Sequence, residues 1–287
     1  MSATLATVGP ADQKHYQEEG YVLLRGVLPD DLLASAQSLC EQWVEGYLRQ
    51  WRDRGLIEDA RSDLPFDRRF NTLWNDAGRP SHHRSPRAEI VRLDARTTFN
   101  MLRHPALLDA AAALLQTDEL VSHGVWNVRP KCPSAKFTDT PLHQDAQYFR
   151  SQARTRVMSA WFPLHDVDEN RSCLEVTPGY ESGHLFDDDA STGTGFIGIR
   201  PEDARHLTRK SIAMRRGDLL CFTDLTPHGA TPNRTDRMRW SIDMRFVPVA
   251  TAHPDAYERG FVARAADPAE VEGYDAWRAK WPDGEDW

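Results

Sequence analysis

Hydrophobic and polar positions along this chain follow two periods, one after the other. Up to about residue 117 the apolar positions recur at helical spacing. Leu32, Leu33, Ala36, Leu39, Cys40, Trp43, Val44 and Leu48 fall at i, i+3 and i+4, which predicts one long helix beginning at Pro29-Asp30-Asp31 with a single apolar stripe. Ala11 to Glu19 reads as a shorter helix, and the run between Gly20 and Gly26 as a strand. His104 to Gln116, with Pro105 in its first turn and an Ala/Leu interior, predicts a further helix. Between these, Trp51 to Ser85 carries Pro, Gly and Asp punctuation without a period and reads as loop with short helices, placed to form a wall or lid.

From Glu119 the pattern changes to short runs rich in Val, Ile, Phe and Trp: Leu120 to Val128, Arg156 to Leu164, Ser172 to Val176, Gly195 to Ile199, Asp218 to Phe222 and Met238 to Val247. Helices first and then many short strands predict an antiparallel sandwich or jelly roll covered by helices. No Ser/Gly/Pro-rich linker interrupts the chain, so residues 1–287 read as one domain. Its parts are a helical N-terminal region (about 11–117), a jelly-roll core (about 119–249) and a helical tail (about 254–287) that returns to cover the sheet.

Composition narrows the function classes. A net charge of −8 with no Lys/Arg block excludes the electrostatic footprint of a nucleic-acid binder. Cys40, Cys132, Cys173 and Cys221 lie far apart without CxxC spacing, which suits reduced thiols in a cytosol. The N-terminus lacks a basic region followed by an apolar core, and nowhere do eighteen apolar residues run together, so a cytoplasmic protein without a membrane partner is expected. Asp187-Asp188-Asp189 reads as a solvated loop. Asp166 to Asn170 opens like a calcium loop, but Arg171 stands where that loop needs Gly and Thr177 where it needs Glu, so it reads as a polar turn.

The candidate chemistry begins at Pro141-Leu-His-Gln-Asp-Ala-Gln-Tyr148. In an extended segment His143 and Asp145 point to the same face, offering one nitrogen and one oxygen ligand side by side. A His-x-Asp triplet is cheap in a chain with 11 His and 43 acidic residues, so its weight depends on a second histidine. Thr226-Pro-His-Gly229 supplies it. His228 sits between Pro and Gly after a strand, where neither neighbour helps a core, and two histidines with one carboxylate form the face that holds Fe(II) with open positions opposite. Downstream, Trp240, Ile242, Met244 and Phe246 alternate with Arg239, Ser241, Asp243 and Arg245. Parity alone leaves two readings open, arginines facing water or arginines lining a small barrel and gripping a carboxylate.

The stretches PLHQDAQYF, SAWFPLHDVDENRSCLEVTPGYESG and RGDLLCFTDLTPHGATPNRTDRMR, with the spacing from His228 to Asn233 and Arg239, resemble the phytanoyl-CoA dioxygenase family of Fe(II)- and 2-oxoglutarate-dependent oxygenases. The resemblance spans Gly20 to Val249. It implies a double-stranded β-helix, a cupin-like jelly-roll barrel buttressed by helices, with Fe(II), 2-oxoglutarate and O2 as cofactor and co-substrates. It implies His143, Asp145 and His228 as metal ligands and Arg239 as the group binding the distal carboxylate of 2-oxoglutarate. Trp161 falls where relatives place a tryptophan near the co-substrate, an inward core Trp being the equal reading, and Arg92 near a basic residue that touches it. Ala230 stands where a hydroxyl residue often follows the distal histidine, leaving Thr231 to supply that hydrogen bond or none to exist. Tyr180-Glu181 replace a more usual Ser-His.

The reaction implied is oxidation of a small molecule, most simply C–H hydroxylation with release of succinate and CO2; desaturation, epimerisation or ring formation would use the same centre. Related halogenases lack the carboxylate that Asp145 provides, so halogenation is not expected. Trp126, Asn127, Tyr148, Phe149 and Trp74 are candidate substrate contacts, aromatic walls with a few basic residues suiting a medium-sized, partly apolar molecule. A zinc hydrolase would need no barrel arginine and would need a general base. A silent binding protein would have lost a ligand, and all three are present.

Overall fold

The computed structural model describes residues 7–80, 93–133, 140–148, 156–179, 184–189 and 196–281. Helix α1 (Pro10–Glu19) ends at Gly20, whose φ of 79° lets its N–H close on the Tyr16 carbonyl and turn the chain into strand β1 (Tyr21–Leu24). Helix α2 (Asp30–Asp53) buries the stripe anticipated from its spacing, extended by Tyr47 and Trp51. Region 51–80 contains helix α3 (Phe66–Asp76), started by Pro65 and anchored through Phe70, Leu73 and Trp74. Helices α4 (Ala95–Leu102) and α5 (Pro105–Leu115) complete the N-terminal layer, with Asp94 and His104 capping them by accepting backbone N–H groups.

The remaining elements are β2 (Leu120–Lys131), β3 (Met158–Pro163), β4 (Leu174–Val176), β5 (Asp188–Asp189), β6 (Gly198–Ile199), α6 (Pro201–Ala204), β7 (Lys210–Ile212), β8 (Leu219–Thr223), β9 (His228–Ala230), β10 (Arg239–Pro248), α7 (Pro254–Glu258), β11 (Phe261–Arg264) and α8 (Tyr274–Ala279). They form a six-stranded antiparallel sheet in the order β1-β8-β3-β10-β2-β11, a three-stranded sheet β7-β4-β9 and the small pair β5-β6.

The larger sheet separates two cores. Its outer face meets the helices: Trp240 stacks on Phe66 at 5.1 Å and meets Trp43 edge-on at 5.5 Å, within one cluster that also holds Ile242, Met244 and Phe246. Its inner face meets the smaller sheet, where Trp161, Leu220 and Phe222 pack against Leu174, Val176 and Ile212. Two facing antiparallel sheets, buttressed on the outer side by the N-terminal helices, make the jelly roll anticipated.

Three readings need correction. The C-terminal tail is not wholly helical: β11 extends the large sheet beyond β2, pairing Phe261 with Ser122. The four residues Phe-Val-Ala-Arg are too short to declare a period. The approach also depends on Gly260, where a Cβ would lie 2.1 Å from the Ala256 carbonyl and 2.4 Å from that of Ser122. Asp188 and Asp189 form a short strand rather than a loop, because Ile199 and Gly198 pair with them. Finally, Asp145 is not in an extended segment but opens a single 3-10 turn, Asp145–Gln147. No helix among the described residues is long and apolar enough to cross a membrane.

Candidate active site

His143 and His228 are brought together by backbone. Each donates its N–H to the other's carbonyl, at 2.9 and 2.8 Å, an isolated antiparallel bridge that fixes the rings 4.2 Å apart between centroids. Asp145 arrives by the turn after His143. Gln144 braces that turn, its side-chain nitrogen donating to the carbonyls of His184 and Leu225 and its side-chain oxygen accepting from the Phe186 N–H. The Ala146 N–H is held by the carbonyl of Asp224.

Both imidazoles have their tautomer set. Nδ1 of His143 lies 2.9 Å from the Pro141 carbonyl, and Nδ1 of His228 lies 2.9 Å from that of Thr226. A carbonyl only accepts, so each Nδ1 carries the proton and each Nε2 presents its lone pair. Those two Nε2 atoms face one oxygen, Oδ1 of Asp145, at 3.8 and 3.9 Å. One ligand atom from each residue lies within 4.8 Å of the others, all three side chains being buried. Burial, reinforced by the neighbouring His228, pushes His143 down to about 3, and burial also lowers His228, so both rings are neutral and ready to ligate near neutral pH.

Asp145 is ionised for a different reason. Burial alone would raise its pKa, but the Arg245 guanidinium, then the two imidazoles and the Ser159 hydroxyl, hold it well below the usual carboxylate range. Ser159 Oγ donates to Oδ2, and Arg245 reaches the same oxygen through Nε at 3.2 Å and Nη2 at 3.0 Å. Oδ2 is engaged from behind, whereas Oδ1, which accepts only from Arg245 Nη2 at 3.2 Å, is the oxygen turned toward the histidines. Arg245 is held in turn by Asp243, which also accepts from Asn127 at 2.9 Å and Arg129 at 2.6 Å.

Arg239 differs from Arg245. It is 3% exposed, its Cζ lies 5.6 Å from the Trp161 ring centroid, and its hydrogen bonds go to neutral acceptors: the carbonyls of Ser172 and Arg129 and the hydroxyl of Ser241. No carboxylate among the described residues pairs with it. Burial, with the nearby Arg129, lowers its pKa to about 9. A buried guanidinium without an acid partner leaves its charge open to an incoming carboxylate.

Of the other residues singled out from the sequence, Trp161 belongs to the inner core, with its ring also facing Arg239. Thr231 is turned to the Cys173 carbonyl at 3.3 Å. Asn127 lies on the inner face through Asp243, whereas Trp126, one residue away, packs on the helix side. Trp74 is also in the helix-side core, its Nε1 donating to the Pro80 carbonyl, and so is separated from the trio by the large sheet. Tyr148 is 44% exposed, edge-on to His143 at 5.8 Å, with its hydroxyl accepting from the Ile197 N–H. Arg92, Phe149, Tyr180 and Glu181 lie outside the described residues. Ser159, Gln144, Asp243 and Arg245 were not singled out as site residues, although the alternation of β10 had put Asp243 and Arg245 on the Arg239 face.

The family model for phytanoyl-CoA dioxygenase (PhyH) matches residues 16–241. The chain belongs to the phytanoyl-CoA dioxygenase family. It is 25% identical over 246 residues to the peroxisomal phytanoyl-CoA dioxygenase of Mus musculus, an alignment covering 82% of this chain and 67% of that protein. Among solved structures it resembles the epimerase SnoN in complex with Fe3+, alpha ketoglutarate and nogalamycin RO (TM-score 0.52, 21% identity, 90% of this chain and 87% of that one). It also resembles EvdO2 from Micromonospora carbonacea var. aurantiaca complexed with 2-oxoglutarate (TM-score 0.55, 19% identity, 94% and 99%). The family and the His-Asp-His site make this PhyH protein an Fe(II)- and 2-oxoglutarate-dependent oxygenase, with O2 as the second co-substrate.

Proposed function

We propose that His143, Asp145 and His228 hold the iron, that Arg239 receives the distal carboxylate of 2-oxoglutarate beside Trp161, and that the protein hydroxylates a C–H bond of a medium-sized small molecule. The observation that carries this is the convergence of two Nε2 lone pairs and one carboxylate oxygen, with every competing atom of those side chains already engaged. The donor set fits the metal: two neutral nitrogens and one anionic oxygen on one side suit Fe(II) and leave room opposite. When iron and co-substrate are bound, the chemistry supplied is coupled oxidation of 2-oxoglutarate to succinate and CO2 and of C–H to C–OH by O2.

The chain's own residues do the rest. Pro141 and Thr226 hold the protons on the two Nδ1 atoms, Arg245 and Ser159 aim Oδ1, and the inner core of Trp161, Leu220, Phe222 and Val176 excludes water beside the reacting centre. Arg239 orients the co-substrate by a charge-assisted pair. Neither a nucleic acid nor a membrane is a partner in this reading, and we assign the protein to the cytoplasm. That assignment is supported by four buried free cysteines and by the absence of a membrane-spanning helix among the described residues.

An anaerobic optical titration tests the proposal. Fe(II) followed by 2-oxoglutarate should produce the weak visible charge-transfer band of a chelated 2-oxo acid, and Arg239→Ala should move its half-saturation to higher co-substrate. Iron binding without the band would reject the 2-oxoglutarate assignment and favour a non-redox metal site.

A further inference from the structure

Charge inside the barrel is unequal. On the inner face shared by the neighbouring strands β2 and β10, four cations, Arg129, Lys131, Arg239 and Arg245, stand against two carboxylates, Asp243 and, from the turn beside them, Asp145. Fe(II) and the 2-oxoglutarate dianion cancel each other, so loading the centre leaves the excess positive charge in place.

One of these cations is left with an open edge. Arg245 is enclosed between Asp145 and Asp243, and Arg239 is the buried guanidinium assigned to the co-substrate. Lys131 is fully buried with its Nζ 3.5 Å from the Ala230 carbonyl, which leaves Arg129. It gives Nε to Asp243 at 2.6 Å, but its two terminal nitrogens have no partner among the described residues. Asp243 offers it little more, being shared with Arg245 and Asn127. The Arg129 side chain is 26% exposed against 6% for Arg245, so its free edge is open where the other is closed. Two large apolar side chains are exposed among the described residues: Val125, earlier on the same strand, and Tyr148, edge-on to His143. A fixed guanidinium with a free two-nitrogen edge matches a carboxylate, and the exposed Tyr148 beside His143 matches a hydrocarbon or aryl body.

We propose that the substrate is an organic acid with an apolar body and that Arg129 is its carboxylate anchor. This rests on the iron and 2-oxoglutarate reading of the same site. The co-substrate is the other possible source of a carboxylate. Its distal group, however, is provided for by the more deeply buried Arg239 and its 2-oxo acid end by the metal face, so Arg129 serves a second acid.

The test uses the anaerobic Fe(II)–2-oxoglutarate complex of the whole protein. Octanoate and 3-phenylpropionate are titrated against the uncharged octanamide and 3-phenylpropanamide, reading the shift of the visible band. The wild type should bind the acids at least tenfold more tightly than the amides. Arg129→Gln should abolish that preference, and Arg129→Lys, keeping the charge but not the paired donors, should retain part of it. The 2-oxoglutarate concentration giving half the band is the control in every protein.

Equal binding of acids and amides by the wild type overturns the proposal without any variant, as does failure of both acids to bind. Loss of the band on adding acid, or a raised 2-oxoglutarate requirement in Arg129→Gln with the acid preference intact, would assign Arg129 to the co-substrate instead. A wild type that never forms the band fails earlier, before any acid is added, and rejects the iron and 2-oxoglutarate reading together with this one.

Discussion

Strand β10 is buried on both faces, and the two faces are buried for opposite reasons. Trp240, Ile242, Met244 and Phe246 lie against the helices at 0% exposure, where apolar area removed from water repays the ordering of the side chains. Arg239, Ser241, Asp243 and Arg245 are almost as buried on the other face, yet three of them carry charge. Desolvating an ion costs several kcal/mol, and it is tolerated only where a partner or ligand compensates. In the function proposed above, the outer face serves stability and the inner face serves binding. A buried strand with charge on alternate residues marks a site rather than a defect.

Mutations should separate the two faces, and the largest effect belongs to the inner side. His143→Ala should abolish succinate production and Fe(II) binding while leaving the circular dichroism spectrum intact, since it removes one lone pair and no charge. Asp145→Ala should also abolish turnover. It would in addition destabilise the fold by about 3 kcal/mol or more, because it takes from Arg245 one of its two buried carboxylates. Measuring turnover and urea stability on both variants checks the difference.

On the outer face, Trp240→Ala should cost about 3–5 kcal/mol of stability through the cavity left among Trp43, Phe66 and Phe70. Its half-saturation for 2-oxoglutarate should not change at temperatures where it is folded. A rise in that value would mean the sheet does not insulate the two sides.

Arg239→Ala should weaken co-substrate binding by about 2 kcal/mol or more, roughly thirtyfold, by removing a charge-assisted pair. Its effect on stability should be small or favourable, because the residue it removes is a buried charge without an acid partner. Melting without a change in 2-oxoglutarate affinity would return Arg239 to a structural role.

The smallest effect sharpens what pairing means. Asp224, behind the Asp145 turn, has no cation paired with it among the described residues, and burial, with Asp145 adding to it, pushes its pKa up to about 7 from 3.8. Between those values the folded state holds a proton that the unfolded state has released, so this group's contribution is fully present below pH 3.8. It declines as pH rises and is lost above about 7. Asp224→Asn should thus match the wild type near pH 3 and exceed it at pH 8 by on the order of 1 kcal/mol. Urea midpoints at the two pH values decide it; an equal difference at both would reject the burial explanation.

Local chemistry was readable in the chain because local chemistry produces it. The stripe of α2, the Ala/Leu interior of α5 and the alternation of β10 are one-element patterns, and each appeared where its period put it. The motifs around His143, Asp145, His228 and Arg239 were legible as residue types at family spacing, and with them the oxygenase class. Tertiary structure alone decided which way things face and what answers them. It turned the arginines of β10 inward by placing helices over Trp240, and it joined His143 to His228, far apart in the chain, through a backbone bridge. It set Ser159 and Arg245 behind Asp145, and put Trp74 and Trp126 on the helix side of the sheet. It also paired β11 with β2 through glycines that leave no room for a Cβ. Period and spacing are properties of neighbours along the chain, whereas a charge partner, a register and the covered face of a sheet depend on residues that meet only after folding.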